Sequence, residues 1–205
     1  TRRSSDLTGP MLKLSNVNAL AATATLAGSN SGATTGTLDL AVAGAYNLGS
    51  YSGNNLKFTA SSGNATTLNF TGNSALTSGN ATSRTLTNSD ANLSVVFDGS
   101  LDIGSSADGT PVITGSGNTT IEGDILSTGA GVRALTKSGS GTLTMNGDGF
   151  YSGVTAVTAG KLVINGNIST SSLTTVNGTG TISGTGTTGA LTIASGGTLS
   201  PGNSP

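Results

Sequence analysis

An all-β solenoid built of short strands is the fold this chain predicts, and three features of the sequence predict it. Good helix formers are scarce: the 205 residues include one Glu, no Gln and 33 Gly, and each interior glycine costs a helix about 1 kcal/mol. Apolar residues come singly or in alternation between turn residues, as in Thr142-Leu143-Thr144-Met145 and Leu162-Val163-Ile164, which is the period of a strand. Finally, the apolar positions recur at long range. Leu143 and Leu162 are 19 apart, Leu162 and Ile182 20, and Ile182 and Leu199 17, while Val157, Val176 and Ile193 follow at 19 and 17. Two phase-locked sets at about 17–20 residues describe a parallel coil, a β-helix in which each inward side chain sits above its equivalent one rung below. One rung alone buries too little to offset about 1–2 kcal/mol of backbone entropy per residue, hence the array.

Composition narrows the function classes. Charged residues make up 8% of the chain where soluble domains carry about 25%, and the net charge is -1. Four Arg and four Lys scattered along the chain give no stripe to neutralise phosphates, so nucleic acid and anionic membrane are excluded as partners. Leu, Val, Ile and Phe supply 43 of 205 residues, at the edge of the disordered class but without the high net charge that accompanies it. The strand pattern decides for a folded array. With no Trp and seven Tyr and Phe together, a thin stack of Leu, Val, Ile and Ala is expected rather than a thick core. Zero Cys removes disulfides, thiol catalysis and thiolate zinc sites, and zero His removes the commonest general base and metal ligand. No run of about 18 apolar residues exists, so no membrane insertion by this chain is expected.

Along the chain, Thr1-Arg2-Arg3-Ser4-Ser5-Asp6-Leu7 carries two of the four arginines and differs from all that follows. It is what a common sequencing-adapter end encodes in this frame, so residues 1–7 are expected to be non-native. Residues 8–131 read as divergent, irregular rungs with strands at Gly36–Val42, Leu56–Thr59, Thr67–Phe70, Leu93–Phe97 and Pro111–Thr114. Gly53-Asn54, Gly63-Asn64, Gly72-Asn73, Gly79-Asn80 and Asp98-Gly99 punctuate them as turns, the Gly-Asn pairs suiting positive φ. Residues 132–205 read as a regular solenoid with a repeat core at 135–166 that stops mid-pattern.

That core resembles a known family. Leu135-Thr136-Lys137-Ser138-Gly139-Ser140-Gly141-Thr142-Leu143-Thr144-Met145-Asn146-Gly147 is similar to the L-x-K-x-G-x-G-T-L-x-L-x-G of the autotransporter-associated β-strand repeat. Tyr151-Ser152-Gly153-Val154-Thr155-Ala156-Val157 and Ala159-Gly160-Lys161-Leu162-Val163-Ile164-Asn165-Gly166 resemble its Y-S-G-x-T-x-V and A-G-x-L-x-V-N-G. Asp148-Gly149-Phe150 departs from the usual small residue, Asn and Thr before the tyrosine. The resemblance covers about Leu135 to Pro205 and implies a right-handed parallel β-helix, secreted to the bacterial cell surface. Its signal peptide and outer-membrane anchor are expected to lie outside this stretch. It also rationalises the zero cysteine of a passenger threaded unfolded through a pore.

Candidate chemistry is sparse. Asp98, Asp102, Asp108, Glu122 and Asp124 hold five of the nine acids, and glycoside hydrolysis would need two carboxylates about 5–9.5 Å apart, usually beside aromatic platforms. Only Phe97 is near, and Asp98-Gly99 and Asp108-Gly109 are ordinary turn dipeptides, so the turn reading is preferred over calcium binding or catalysis. Lys137 and Lys161 read as solvated or edge-guarding lysines, and Tyr51 and Tyr151 as plugs against the ladder. Thr85-Leu86-Thr87, Thr142-Leu143-Thr144, Thr179-Gly180-Thr181 and Thr185-Gly186-Thr187 do not repeat once per rung, against an ice-binding array. No catalytic residue, cofactor or metal is expected. The functional expectation is a non-enzymatic display stalk with weak multivalent adhesion to surface glycans or other cells; the alternatives are a carbohydrate-binding adhesin or a polysaccharide-active β-helix enzyme.

Overall fold

The computed structural model describes residues 11–16, 24–27, 35–53, 55–76, 83–104, 110–129 and 131–202; residues 1–7, Gly79-Asn80 and Asp108 lie outside the described residues. Every strand pairing between named strands is parallel, and the described residues contain no helix. The chain winds through three faces in turn. The first face stacks Leu12–Leu14, Gly36–Leu40, Leu56–Thr59, Ser83–Asn88, Thr110–Gly115 and Leu135–Lys137. Gly44–Leu48, Thr66–Phe70, Leu93–Phe97, Asn118–Ile121 and Thr142–Met145 form the second, and Thr25–Ala27 through Gly149–Phe150 a six-stranded third. Downstream, Thr155–Ile164 and Thr174–Gly184 run unbroken through the corner between the first two faces and join them into one 15-stranded sheet.

The long-range spacings of the sequence are the register. Leu143 pairs with Leu162, Leu162 with Ile182 and Ile182 with Leu199; Val157 pairs with Val176 and Val176 with Ile193. Upstream most rungs are longer than the expected 17–20 residues: Leu56 pairs with Leu86, Leu68 with Val95 and Thr119 with Leu143, at offsets of 30, 27 and 24, while Leu38 pairs with Phe58 at 20. The surplus falls between strands, notably between Leu76 and Ser83 and between Asp102 and Thr110. The strands themselves stand close to expectation, except that Gly36–Leu40 ends two residues early, where Val42 turns out and its carbonyl accepts the Tyr46 hydroxyl at 2.8 Å.

Alternate residues of each strand point inward and form continuous columns, for example Tyr46, Leu68, Val95, Thr119, Leu143, Leu162 and Ile182, all at most 3% exposed. The thin aliphatic filling expected from composition holds in the downstream rungs. In the wider upstream rungs it does not: Tyr51, Phe58, Phe70 and Phe97 are buried together, with Phe70 stacked on Phe97 at 5.0 Å between centroids. A longer perimeter encloses more volume, and only larger side chains fill it.

Where the second face turns into the third, glycines stack from rung to rung: Gly49, Gly72, Gly99, Gly123, Gly147, Gly166 and Gly186. A Cβ on any of the last six would fall 2.0–2.7 Å from the backbone of the glycine beneath. The requirement here is close approach, not positive φ; among the described glycines of the expected Gly-Asn turns only Gly63, at φ 67°, uses the left-handed region. Gly53 ends a strand and is buried, and Gly72 belongs to the column.

Candidate functional site

Three places in the coil bring polar or exposed groups together, and the first is this glycine corner. Each column glycine above Gly49 is flanked by a polar residue on either side. Asn146 Nδ2 donates to Glu122 Oε2 at 2.7 Å, and Asn165 Nδ2 donates to Asn146 Oδ1 at 2.8 Å, a ladder climbing outside the column. Beyond the glycines, Asn73 Oδ1 accepts from the Ser100 amide, Asp124 Oδ1 from the Asp148 amide and Asp148 Oδ1 from the Asn167 amide, at 2.8–3.0 Å. So Glu122, Asp124 and Asp148 tie one rung to the next. Asp102 stands apart on the third face and accepts from the Gly104 amide at 2.9 Å and from the Thr128 hydroxyl. The acidic stretch is therefore dispersed over corner and face, and among the described residues no three carboxylates converge as a metal would require.

Lysine 137 corrects an expectation. It is 3% exposed, not solvated, because Leu135 and Lys137 share the inward parity and Lys137 stands in the column between Ile113 and Val157. Its Nζ reaches the first corner and donates to the carbonyls of Ser138, Gly139 and Ala159 at 2.7, 2.8 and 3.3 Å. An ammonium thus caps carbonyls of two successive rungs where a methyl would leave them bare. Lys161 stays half-buried on the outward side, between Thr142 and Thr181. Arg84 and Arg133 are also buried; Arg84 Nη1 donates to the Ile103 carbonyl at 3.0 Å, and burial and Arg133 lower its pKa while Asp102 opposes them.

Burial lowers the Lys137 ammonium to about 8, whereas an unfolded lysine titrates near about 10.4. Between those values the unfolded chain holds the extra proton, so stability rises with pH across that window and is level below it. Burial pushes the Tyr151 phenol up to about 12, against the opposing Thr155 hydrogen bond, and also raises Tyr51. Unfolded phenols ionise near about 10, so stability falls again above that. We expect the urea midpoint to stay level from pH 7 to about 8, climb to a maximum near about pH 9–10 and then drop. Lys137→Met should flatten the climb and keep the drop; an unchanged climb in that variant would assign it to other groups.

The third place is a shallow, open depression of about 500 Å3 beside the third face, lined by Ser127, Gly129, Gly131, Val132, Phe150, Tyr151, Ser152 and Thr170. Phe150 occupies the outward parity above Leu126 and Asp102 and is 53% exposed, and Val132 is 72% exposed. No lining residue carries a charge except through ionisation of Tyr151, whose phenol is buried on Thr155 at 2.8 Å; Thr155 continues to Ser171, and Ser171 to the Gly153 carbonyl. Tyr51 and Tyr151 are the internal plugs expected, at 1% and 2% exposure. Phe150 escaped the sequence reading: the departure Asp148-Gly149-Phe150 was visible there, but its outward parity required the register. The Thr-x-Thr pairs are scattered over two faces and both corners.

Residues 135–164 match the model of the family described as Passenger-associated-transport-repeat. Over 76 residues the chain is 40% identical to the adhesin BmaC autotransporter of Brucella suis biovar 1 (strain 1330), which covers 36% of this chain and 2% of that relative's length. No solved structure matches the chain. The matched segment is similar to a passenger repeat, and it contains the rung whose strands pair at offsets of 20 and 19 residues.

Proposed function

We propose that this chain is part of a passenger displayed at a bacterial cell surface, where its stacked rungs serve as a stiff, non-enzymatic stalk with weak multivalent adhesion. The observation that carries this is the match to a passenger repeat at 135–164, set in a coil whose named strands all pair in parallel. Rigidity follows from the backbone ladders and the glycine column, which allow little sliding of one rung on another. In the source cells, antibodies raised against residues 131–202 should label intact, unpermeabilised bacteria. Labelling only after lysis would overturn the surface assignment.

The depression beside Phe150 favours a second reading, a carbohydrate-binding adhesin. An exposed aromatic ring bordered by Ser127, Ser152 and Thr170 offers an apolar platform and hydroxyls without charge, the complement of a neutral sugar ring. Each site would bind weakly, and many copies on one cell would add by avidity. On a glycan array, multivalently displayed chain should bind neutral glycans, and Phe150→Ala should cut retention by about threefold to tenfold, equivalent to about 0.7–1.4 kcal/mol per site. Equal retention of both proteins would remove Phe150 from any adhesive role.

A further inference from the structure

We infer that Asn177-Gly178 is a site of spontaneous deamidation, and that the fold shields the other two Asn-Gly pairs of the chain, Asn146-Gly147 and Asn165-Gly166. The chemistry is intramolecular. The glycine amide nitrogen, losing its proton to water or hydroxide, attacks the asparagine Cγ; the new N–C bond forms as the Cγ–Nδ2 bond breaks, and ammonia leaves. Water then opens the resulting succinimide at either carbonyl, giving aspartate or isoaspartate. Glycine is the following residue that least obstructs the ring closure, because it has no side chain.

The three pairs share the motif and differ in surroundings. Asn146 and Asn165 belong to the corner ladder, each donating its Nδ2 hydrogens to the rung below, at 2.7 and 2.8 Å. Their following residues, Gly147 and Gly166, are held in the glycine column against the backbone of Gly123 and Gly147. To react, either asparagine must break its ladder bond and swing Cγ onto an amide fixed in that stack. Asn177 lacks the first restraint and has a lesser form of the second: among the described residues its side chain makes no hydrogen bond, it stands outward and half-buried, and exposed Gly178, outside the glycine column, lies over the Thr158 carbonyl oxygen, 2.7 Å from where its Cβ would stand. The register also slips there. Val176 pairs with Val157 and Thr179 with Ala159, so Asn177 and Gly178 together face Thr158, a bulge in which Gly178 adopts φ 60°. Backbone at a bulge has the freedom that ring closure demands.

The product would matter locally. Isoaspartate adds a methylene to the main chain directly before Gly178, against whose carbonyl Gly196 is packed so closely that a Cβ there would lie 2.2 Å away. Lengthening the chain at that point loosens the contact between these two rungs and adds a negative charge to a surface with few charges.

The test is peptide mapping by mass spectrometry after incubating the full chain at about pH 9, folded and in guanidinium, with isoaspartate resolved from aspartate. In the folded chain Asn177 should gain 1 Da at least about tenfold faster than Asn146 or Asn165, a ratio equivalent to about 1.4 kcal/mol. In guanidinium the three should react within about threefold of one another. Glu122→Ala, which removes the acceptor of the Asn146 amide, should raise the Asn146 rate in the folded chain. Comparable rates at the three pairs in the folded chain, or a silent Asn177 there, would overturn the inference.

Discussion

Gly147→Val should abolish the cooperative unfolding transition of the downstream rungs or lower its midpoint by about 10 °C or more. The added Cβ would lie 2.4 Å from the Gly123 carbonyl oxygen, 2.5 Å from its carbon and 2.8 Å from the Asp124 nitrogen. All three are backbone atoms, so no side chain can rotate out of the way. The rungs would have to separate, and separation strains the bonds on both sides of the corner: Asn146 N to the Ile121 carbonyl at 2.9 Å and Ile125 N to the Asp148 carbonyl at 2.8 Å. The corner side-chain bonds from Asn146 to Glu122 and from Asp148 to Asp124 share the same gap. Overpacking in a site that can relax costs about 1–3 kcal/mol; a site that cannot relax belongs in the tail above about 4. For a chain of this size each kcal/mol moves the midpoint by about 2–4 °C. Thr144→Val, an outward change on the adjoining strand, is the control and should stay within about 0.5 kcal/mol. Far-UV circular dichroism melts of the three proteins decide it, and a Gly147→Val midpoint within 2 °C of the parent would mean that the column is not close-packed.

That column also shows where reading the sequence stops. Of its glycines, Gly72 and Gly99 read as turn punctuation, because a turn explains a glycine locally while close approach needs to know which residue lies beneath. Where rung length is constant, stacking can be read directly: Leu143, Leu162, Ile182 and Leu199 pair in register as their spacing predicts. Upstream, offsets that vary from 20 to 30 residues hide the period although the individual strands are evident from alternation. Lys137 failed for another reason. Residue type argued for solvent, while the parity set by Leu135 argued for the interior, and parity prevailed because three carbonyls at the corner satisfy the ammonium. Phe150 was legible only as a departure from the repeat pattern, and the strand Gly149–Phe150 turns it out. The turn reading of the 98–124 acids does not hold at Asp102, which lies in the strand Leu101–Asp102, and the part of Glu122 and Asp124 in holding rung to rung is a property of the stack.

Phe70→Ala should remove about 3–5 kcal/mol and lower the midpoint by about 10 °C, through loss of transfer free energy and a cavity that the coil cannot close. Phe70 is fully buried, its ring lying 5.0 Å from Phe97, 5.9 Å from Phe58 and 6.1 Å from Tyr51, so it is the one ring in contact with all the others of the cluster. Collapse around the gap is resisted because each neighbour hangs from a strand whose register is fixed on both sides: Leu93–Phe97 pairs residue for residue with Thr66–Phe70, which pairs in turn with Gly44–Leu48. Phe70→Leu, which refills part of the volume, should cost about 1–2 kcal/mol. The same cluster carries a change of opposite character. Among the described residues the buried Tyr51 hydroxyl has no hydrogen-bond partner, so Tyr51→Phe removes a desolvated polar atom while retaining the ring, and should leave stability unchanged or raise it by about 1 kcal/mol. Urea unfolding of the three variants separates ring volume from polar burial. If Phe70→Ala costs under about 1 kcal/mol while Tyr51→Phe costs more, the wide rungs are held by hydrogen bonding at Tyr51 and not by the aromatic filling.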